Sequence, residues 1–256
     1  MRLPWTRFAI GHGELSELVD AAAQTDTATD PLERIPYSEE KMLLPELAEL
    51  YQQNGDLVGW ISIADTNINY PVMQSVNEPN FYLKHGFDKE YSDYGCPYVQ
   101  EDCDVQEPSD NLVIYGHHMS NGSMFAHLEK FKNKDFWSEH RMITFNILTD
   151  KQEYEIVAVF RTVVYTDSPE AFKFYRFIDA ESANEFDDFI AKSKELSFYD
   201  TGVTAEYGDK LITLSTCEYS RNNSRLVVVA KRITEDGGAD AAKTHAEATA
   251  EGERPN

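Results

Sequence analysis

The sequence predicts a mainly β, single-domain fold, and three observations lead to that prediction. Its 256 residues are 41% hydrophobic and 12% aromatic, which is enough to bury one sizeable core. Eight short segments are rich in Val, Ile, Tyr and Phe. Gly, Asn, Asp and Pro separate these segments, as is typical of strands joined by turns. Eight such strands predict a barrel or a sandwich.

A helix is predicted ahead of the strands. Ser38 is followed by two glutamates, and the apolar residues Leu43, Leu47 and Leu50 then recur at helical spacing. The Asn54-Gly55 pair is a typical end for such a helix.

The predicted strands follow this helix, and a second helix interrupts them. In chain order the strand segments are DLVGWISI, NINYPVM, CPYVQ, NLVIYG, RMITFNI, EYEIVAVFRTVVY, KLITLST and RLVVVAKRI. Before the last pair, Phe186, Phe189 and Ile190 have helical spacing in AESANEFDDFIAKSKEL, which predicts an inserted helix. One or two helical turns are also predicted from Met124 to Phe131, with Ser123 as their cap.

The two ends of the chain are predicted to lie outside this domain. Residues 1–35 mix small, polar and acidic residues around one predicted short helix from Glu14 to Ala23, and they are expected to form a helical and linker segment. Residues 235–256 have almost no large apolar side chain and are expected to be a disordered acidic tail. The folded domain is therefore expected to span residues 36–234.

The charge balance excludes several classes of function. Lys and Arg total 23 against 45 Asp and Glu, a net charge of −22, which would repel nucleic acid and anionic membrane surfaces. The sequence contains no run of about 18 apolar residues and no apolar core of a signal peptide. Any attachment to a membrane is therefore expected to come through an anchor missing from this sequence.

The three cysteines do not form a metal-binding or disulfide-rich pattern. No C-x-x-C pair or zinc-like Cys/His spacing occurs, so no metal site is expected. Cys96 and Cys103 lie seven residues apart, and both a disulfide and two reduced, partly buried thiols fit that spacing. Cys217 is left without a partner.

Cys217 ends one predicted strand, and the next strand begins at Arg225. If the two strands pair in antiparallel fashion, these residues lie roughly 5 Å apart at one rim of the sheet. A guanidinium beside a thiol favours the thiolate and can stabilise a developing oxyanion. The alternative is a small apolar residue beside an ordinary surface cation.

Two histidines follow another predicted strand. NLVIYGHHMSNGSMF turns at Gly116 into His117 and His118, and catalytic groups are common in such strand-end loops. Thiol chemistry near neutral pH needs a group that balances the thiol proton and later protonates an amine, which histidine can do. The local pattern does not choose between His117 and His118. It also does not exclude His85, His127 or His140, although each of these is expected to be a surface or core-edge histidine.

The combination of these motifs resembles the class B sortases. LVIYGHHMSNGSMF, then TLSTC about a hundred residues later, then RLVVVAK, occur in the order and spacing of that family, and the similarity runs from about Glu39 to Arg232. The resemblance implies that His117 is the proton-transfer partner, Cys217 the nucleophile and Arg225 the electrostatic stabiliser. Arg221 is the competitor for the last role.

The resemblance also implies a fold and a reaction. The expected fold is an eight-stranded sortase-type barrel with N-terminal helices and a helix between strands 6 and 7. The expected enzyme is a cysteine transpeptidase that cleaves a sorting motif resembling Asn-Pro-x-Thr-(Asn/Gly) after Thr and transfers the protein to an amine of peptidoglycan or lipid II. Ser215, Glu218, Phe174 and Tyr175 are the expected substrate-binding residues, and no cofactor is needed.

The implied partners are surface proteins that carry a sorting signal, at the outer face of the membrane of a Gram-positive cell. Three alternatives remain open: a sortase that polymerises pilins, a sortase-like module that binds peptides without cutting them, and a hydrolytic cysteine protease. The last lacks a papain-like motif around a cysteine near the N-terminus.

Overall fold

The computed structural model describes residues 42–164, 171–218 and 223–234. The predicted segments at both ends, including the helix from Glu14 to Ala23, and the competitor Arg221 lie outside the described residues. Within these ranges, eight strands form a closed barrel in the order β1-β2-β3-β4-β7-β8-β6-β5. The strands are β1 (Leu57–Ser62), β2 (Asn69–Met73), β3 (Tyr98–Val99), β4 (Asn111–Tyr115), β5 (Met142–Ile147), β6 (Glu153–Val163), β7 (Leu211–Glu218) and β8 (Ser224–Arg232).

All eight predicted strands are therefore confirmed, with one clear difference in length. The segment CPYVQ contributes only the two residues of β3, Tyr98 and Val99. Pro97 has no N–H to extend the ladder on its side. Its carbonyl still accepts a hydrogen bond from the Met73 N–H at 3.0 Å, which joins the start of β3 to β2.

Three α-helices in the described part of the chain surround the barrel, and the inserted helix is among them. They are α1 (Pro45–Gln53), α2 (Lys134–Glu139) and α3 (Ala183–Leu196), with 3-10 helices at Phe81–Leu83, Phe125–Lys132 and Phe174–Arg176. α3 lies between β6 and β7 as predicted. Ser182 caps it by accepting a hydrogen bond from the Glu185 N–H, and Phe186, Phe189 and Ile190 are buried.

Two details of the predicted helices were wrong, and one short helix was missed. α1 begins at Pro45 rather than near Ser38, because proline restricts the preceding residue to extended conformations, and Leu44 is extended with ψ of 129°. Ser123 is not the cap of the turn after it, because the residue at the cap position is Met124; the Ser123 hydroxyl instead donates to the Asn121 side chain at 2.7 Å. The short helix α2 was missed, although Asn133 caps it by accepting from the Asp135 N–H at 2.8 Å.

The pairing of three strands creates a single rim for the functional residues. β4 and β7 are parallel, with Asn111 opposite Leu211 and Tyr115 opposite Ser215. Parallel strands end on the same side of a sheet, so the loop after β4 and the end of β7 lie together. β8 runs antiparallel to β7 and therefore begins at that rim.

A buried polar contact helps to set the register of β4 against β7. The Asn111 side chain is fully buried. Its oxygen accepts a hydrogen bond from the Thr213 hydroxyl at 2.8 Å, and its amide donates to the Phe177 carbonyl at 2.8 Å. A one-residue slip would leave these buried groups without partners, which is costly in a low-dielectric core.

The described core divides into two apolar clusters. One fills the barrel and extends under α3, and the other packs α1 against β1, β2 and the 81–98 segment. Among the described residues, no helix is long and apolar enough to cross a membrane.

We expect a histidine far from the rim to make the stability of the fold depend on pH. His140 has Nδ1 at 2.8 Å from the Phe136 carbonyl and Nε2 at 3.0 Å from an Asp65 carboxylate oxygen. Both partners accept, so both nitrogens can donate only in the imidazolium form. The Phe136 carbonyl and then the Asp65 carboxylate raise the pKa of His140 above its ordinary value of 6.5.

We expect His140→Gln to lower the free energy of unfolding more at about pH 5.5 than at about pH 9. A raised folded-state pKa stabilises the fold below the unfolded pKa, and this contribution disappears as the pH rises through the folded pKa. Denaturant unfolding of both proteins at the two pH values measures the difference. An equal loss at both values would contradict this account.

Candidate active site

Cys217 is the most accessible of the three cysteines. It lies in β7, one residue before the end of the strand, and is partly exposed, whereas Cys96 and Cys103 are buried. All three are free thiols, so Cys96 and Cys103 do not form a disulfide. Burial raises the pKa of both Cys96 and Cys103 to about 12, which keeps them as unreactive thiols at neutral pH.

Arg225 lies directly opposite Cys217. The two residues are register partners in the antiparallel β7–β8 pair, so the expected meeting of Cys217 and Arg225 at one rim is borne out. The Arg225 side chain is partly buried, and its Nη1 donates to the Ser224 carbonyl at 3.1 Å. Opposed residues of this kind place their Cβ atoms about 5 Å apart, which allows a guanidinium to act on chemistry at the thiol.

Both candidate histidines lie at the same rim. The Gly116 N–H donates to the Ser215 carbonyl at 3.1 Å. The residue directly before His117 is therefore still hydrogen-bonded to β7. His117 Nε2 is 2.7 Å from the Leu83 carbonyl. A carbonyl only accepts, so Nε2 carries a proton and Nδ1 is the nitrogen at which a neutral ring can take one up.

His118 is oriented differently. Its Nδ1 is 3.1 Å from the main-chain carbonyl of Cys217 and 3.9 Å from the Glu129 carboxylate. The two rings therefore have different partners: His117 meets the Leu83 carbonyl, and His118 meets the Cys217 carbonyl on β7.

The three other histidines in the described ranges have separate structural partners. His85 stacks on the Phe81 ring at a centroid distance of 3.9 Å. His127 Nδ1 accepts from the Asn67 N–H at 2.9 Å, and His140 pairs with Asp65. Burial also lowers the pKa of His127. The choice for proton transfer is therefore between the two rim histidines.

Hydrogen bonds hold the loop that carries these histidines. The Phe125 N–H donates to the His117 carbonyl at 2.8 Å. The Met124 N–H donates to the Tyr70 hydroxyl at 2.8 Å, and His118 forms an antiparallel bridge with Met124. The loop is thus anchored at both ends, which reduces the freedom of the imidazoles.

Two predicted substrate-binding residues lie on β7. Ser215 and Cys217 are two positions apart and share one face of the strand. Ser215 is 1% exposed, and its hydroxyl has no hydrogen-bond partner among the residues described. Glu218 ends the strand, and only its backbone is described.

The other two predicted substrate-binding residues differ in burial. Phe174 is 1% exposed and belongs to the barrel core, an environment that favours packing over a position on a groove wall. Tyr175 is partly buried against the same core and packs edge-on against Phe174 at 5.6 Å. Of the two, Tyr175 retains ring surface that a peptide could contact.

Sequence reasoning missed two groups that contact the histidines. The Leu83 carbonyl is 34 positions from His117, and no local pattern indicates such a contact. Glu129 is eleven residues after His118 and lies within a 3-10 helix. From the sequence alone, a charged residue at such a position is expected to be an ordinary solvent-exposed side chain.

Comparison with known proteins identifies the family. Residues 61–233 match the Sortase domain family. The chain belongs to the sortase family. It is 35% identical over 193 residues to Sortase B of Listeria monocytogenes, covering 74% of each chain. It is a cysteine transpeptidase of class B, as the motifs implied.

Solved sortase B structures have the same fold. The Staphylococcus aureus sortase B–substrate complex superimposes with a TM-score of 0.73 at 26% identity, over 87% of this chain and 94% of that one. A sortase B structure complexed with triglycine gives 0.73 at 26% identity, over 88% and 96%. The prediction of a mainly β, eight-stranded sortase barrel is confirmed.

The glycine before His117 is required by packing in this sortase. A Cβ at Gly116 would lie 2.6 Å from Cγ and Cδ2 of the Phe125 ring, and Phe125 is fully buried. We expect Gly116→Ala to destabilise the fold by about 1–3 kcal/mol and to lower turnover by displacing the adjacent histidine. Thermal unfolding and peptide turnover measure the two effects.

Gly55→Ala is the matched control, because a Cβ there meets nothing within 4 Å. We expect it to change stability by less than about 0.5 kcal/mol. If the two variants behaved alike, packing against Phe125 would not explain the glycine.

The exposure of the thiols gives a direct labelling test. In the native sortase we expect iodoacetamide to modify one cysteine, Cys217, because Cys96 and Cys103 are buried with raised pKa values. Cys217→Ala should take up no label until denaturant is added, when two labels should appear. Intact-mass spectrometry counts the adducts, and rapid native labelling of Cys96 or Cys103 would refute this assignment.

Proposed function

We propose that this sortase cleaves a C-terminal sorting motif resembling Asn-Pro-x-Thr-(Asn/Gly) after Thr and transfers the protein to a cell-wall amine. The observation that carries this proposal is the meeting of three groups at one rim: Cys217 opposite Arg225 across the β7–β8 pair, with His117 on the loop that follows the parallel strand β4.

The proposed reaction has two acyl-transfer steps. In the first, the Cys217 thiolate attacks the Thr carbonyl carbon, the C–N bond breaks, and His117 gives a proton to the departing amine. The product is a thioester on Cys217. In the second, an acceptor amine attacks the thioester, His117 takes the proton of that amine, and the thiolate leaves. One peptide bond is exchanged for another, with no change in oxidation state.

Arg225 is the proposed electrostatic stabiliser of both steps. Arg225 is the register partner of Cys217, and from this position its guanidinium would favour the thiolate and bind the oxyanion that forms on the Thr carbonyl. The Glu218 N–H follows the nucleophile directly and is the proposed second donor to the oxyanion.

Ser215 and Tyr175 are the proposed contacts of the motif outside the reacting bond. A buried hydroxyl without a partner costs about 1–3 kcal/mol, and a peptide group that reached Ser215 would recover part of this. Phe174, which packs in the core, would support the Tyr175 ring from behind.

Two solved relatives support a reaction between a bound substrate and an amine acceptor. The S. aureus enzyme has been captured with a substrate, and a sortase B has been captured with triglycine, a peptide that carries a primary amine at its N-terminus. We infer that this sortase likewise joins a surface protein to an amine of peptidoglycan or lipid II. The proposed location is the outer face of the membrane and the cell wall.

A peptide-library assay tests the motif and the reaction together. The library varies each position of Asn-Pro-x-Thr-(Asn/Gly), with and without triglycine as acceptor. We expect cleavage after Thr, a thioester adduct on the wild type by intact mass, no adduct on Cys217→Ala, and an amide product when triglycine is added. Free acid regardless of acceptor would show a hydrolase, and binding without an adduct would show a peptide-binding module.

Separate variants of the site residues test their roles. We expect His117→Ala to lower turnover by about 10²- to 10⁴-fold and Arg225→Ala by about 10²- to 10³-fold. If His118→Ala abolished turnover and His117→Ala did not, the assignment of His117 would be wrong. A lysine on a second protein subunit, accepted in preference to triglycine, would favour pilin polymerisation.

A further inference from the structure

The hydrogen bonds that join β7 to the β4 side continue as far as Cys217, but the bond at Cys217 comes from a side chain rather than from the main chain. The last bond from the main chain of β4 runs from the Gly116 N–H to the Ser215 carbonyl at 3.1 Å. Alternate carbonyls of a strand point to the same neighbour, so the next one directed at this side belongs to Cys217. In a continued parallel ladder its donor would be the main-chain N–H of residue 118.

At this point the chain turns, and the His118 side chain occupies the donor position. The turn brings His118 into an antiparallel bridge with Met124. The imidazole Nδ1 of His118 lies 3.1 Å from the Cys217 carbonyl oxygen. Because that oxygen only accepts, Nδ1 carries the proton, and the ring extends the ladder by one bond after the main chain has left it.

The surroundings of His118 favour this arrangement. The Glu129 carboxylate is 3.9 Å from Nδ1, and a negative charge there favours the tautomer with its proton on Nδ1. Glu129 is itself held by the Lys132 ammonium at 2.6 Å. The His118 side chain is only 19% exposed, so water competes weakly for the bond to Cys217.

We propose that His118 is a positioning residue that fixes the main chain of Cys217, a role that rests on the proposed function of Cys217 as nucleophile. The peptide group between Cys217 and Glu218 is planar and trans, so a fixed Cys217 carbonyl also fixes the direction of the Glu218 N–H. The hydrogen bond therefore sets the thiol and one proposed oxyanion donor together. Among the described hydrogen bonds between β7 and the β4 side, it is also the one nearest the end of β7.

Three variants test this role: His118→Leu, which removes the donor; His118→Asn, whose side-chain amide can replace Nδ1; and His140→Leu, a control. His140 also has Nδ1 on a main-chain carbonyl, at 2.8 Å, but lies away from the rim. We expect His118→Leu to lower kcat about tenfold, the rate equivalent of one hydrogen bond, with KM changed less than about threefold. His118→Asn should restore kcat to within about threefold, and His140→Leu should leave kcat unchanged.

Amide hydrogen exchange of the peptide that contains Cys217 gives a second readout that needs no substrate. Exchange should be faster in His118→Leu and return to the wild-type rate in His118→Asn. If the wild type cut no peptide, the proposed function would fail, while the exchange data would still decide whether His118 holds the strand. Wild-type kcat and exchange in His118→Leu would overturn the proposal.

Proton transfer by His118 is the competing role, and the asparagine variant separates it. An amide can donate a hydrogen bond but cannot shuttle a proton. Normal exchange with kcat as low as in His118→Leu would therefore contradict a positioning role. If His118→Leu failed to fold, the kcat and exchange of His118→Asn would decide alone.

Discussion

The placement of every candidate catalytic group depends on β7, which is hydrogen-bonded to a parallel strand on one side and an antiparallel strand on the other. The parallel pairing with β4 brings the histidine loop to the end that carries Cys217, and the antiparallel pairing with β8 brings Arg225 to the same end. If both neighbours of β7 were antiparallel and joined to it by simple hairpins, tight turns would lie at the ends of β7. The loop after a separate strand would then not reach this rim. The mixed pairing thus gathers groups that are a hundred residues apart.

The register of β7 matters more than the identity of any one apolar residue in it. Side chains alternate along a strand, so a slip of one residue would turn Cys217 to the opposite face. Three contacts resist that slip: the buried bond between Asn111 and Thr213, the bond from Gly116 to the Ser215 carbonyl, and the His118 bond to the Cys217 carbonyl. They lie near the start of β7, near its end and at Cys217, so the register is fixed along most of the strand.

The strands, the inserted helix and the Cys217–Arg225 pairing could be predicted from sequence because each has a local cause. Runs of β-branched residues separated by turn residues locate strands, and a short polar segment between two such runs indicates antiparallel pairing. The choice between His117 and His118 had no such cause, since adjacent histidines look alike in a sequence. What separates them is the carbonyl that each ring meets, from Leu83 or from Cys217, and such contacts arise only from tertiary structure.

Local rules failed where the chain departs from regular structure. α1 starts late because Pro45 controls Leu44, and β3 is short because Pro97 removes a donor, so in both cases one proline overrode a favourable pattern. The prediction that Phe174 contacts substrate came from the family resemblance rather than from a local rule. An alignment with a family locates a position in the fold but does not say whether its side chain is buried. An aromatic pair at that position can direct only one ring outward when the other fills the core.

The polar residues of β7 show that this strand is not optimised for stability alone. Thr213 has a partner in Asn111, whereas the hydroxyls of Ser215 and Thr216 are buried without partners among the described residues. Each such hydroxyl costs about 1–3 kcal/mol, and valine would fit a strand of this kind better. Ser215 shares the face of Cys217, where a bound peptide could satisfy it. Thr216 faces the other way, so the peptide that satisfies Ser215 cannot also account for its cost. The functional explanation therefore applies to Ser215 alone: a buried hydroxyl on the face of Cys217 lowers stability at a position where a polar group can meet a substrate, as is common in active sites.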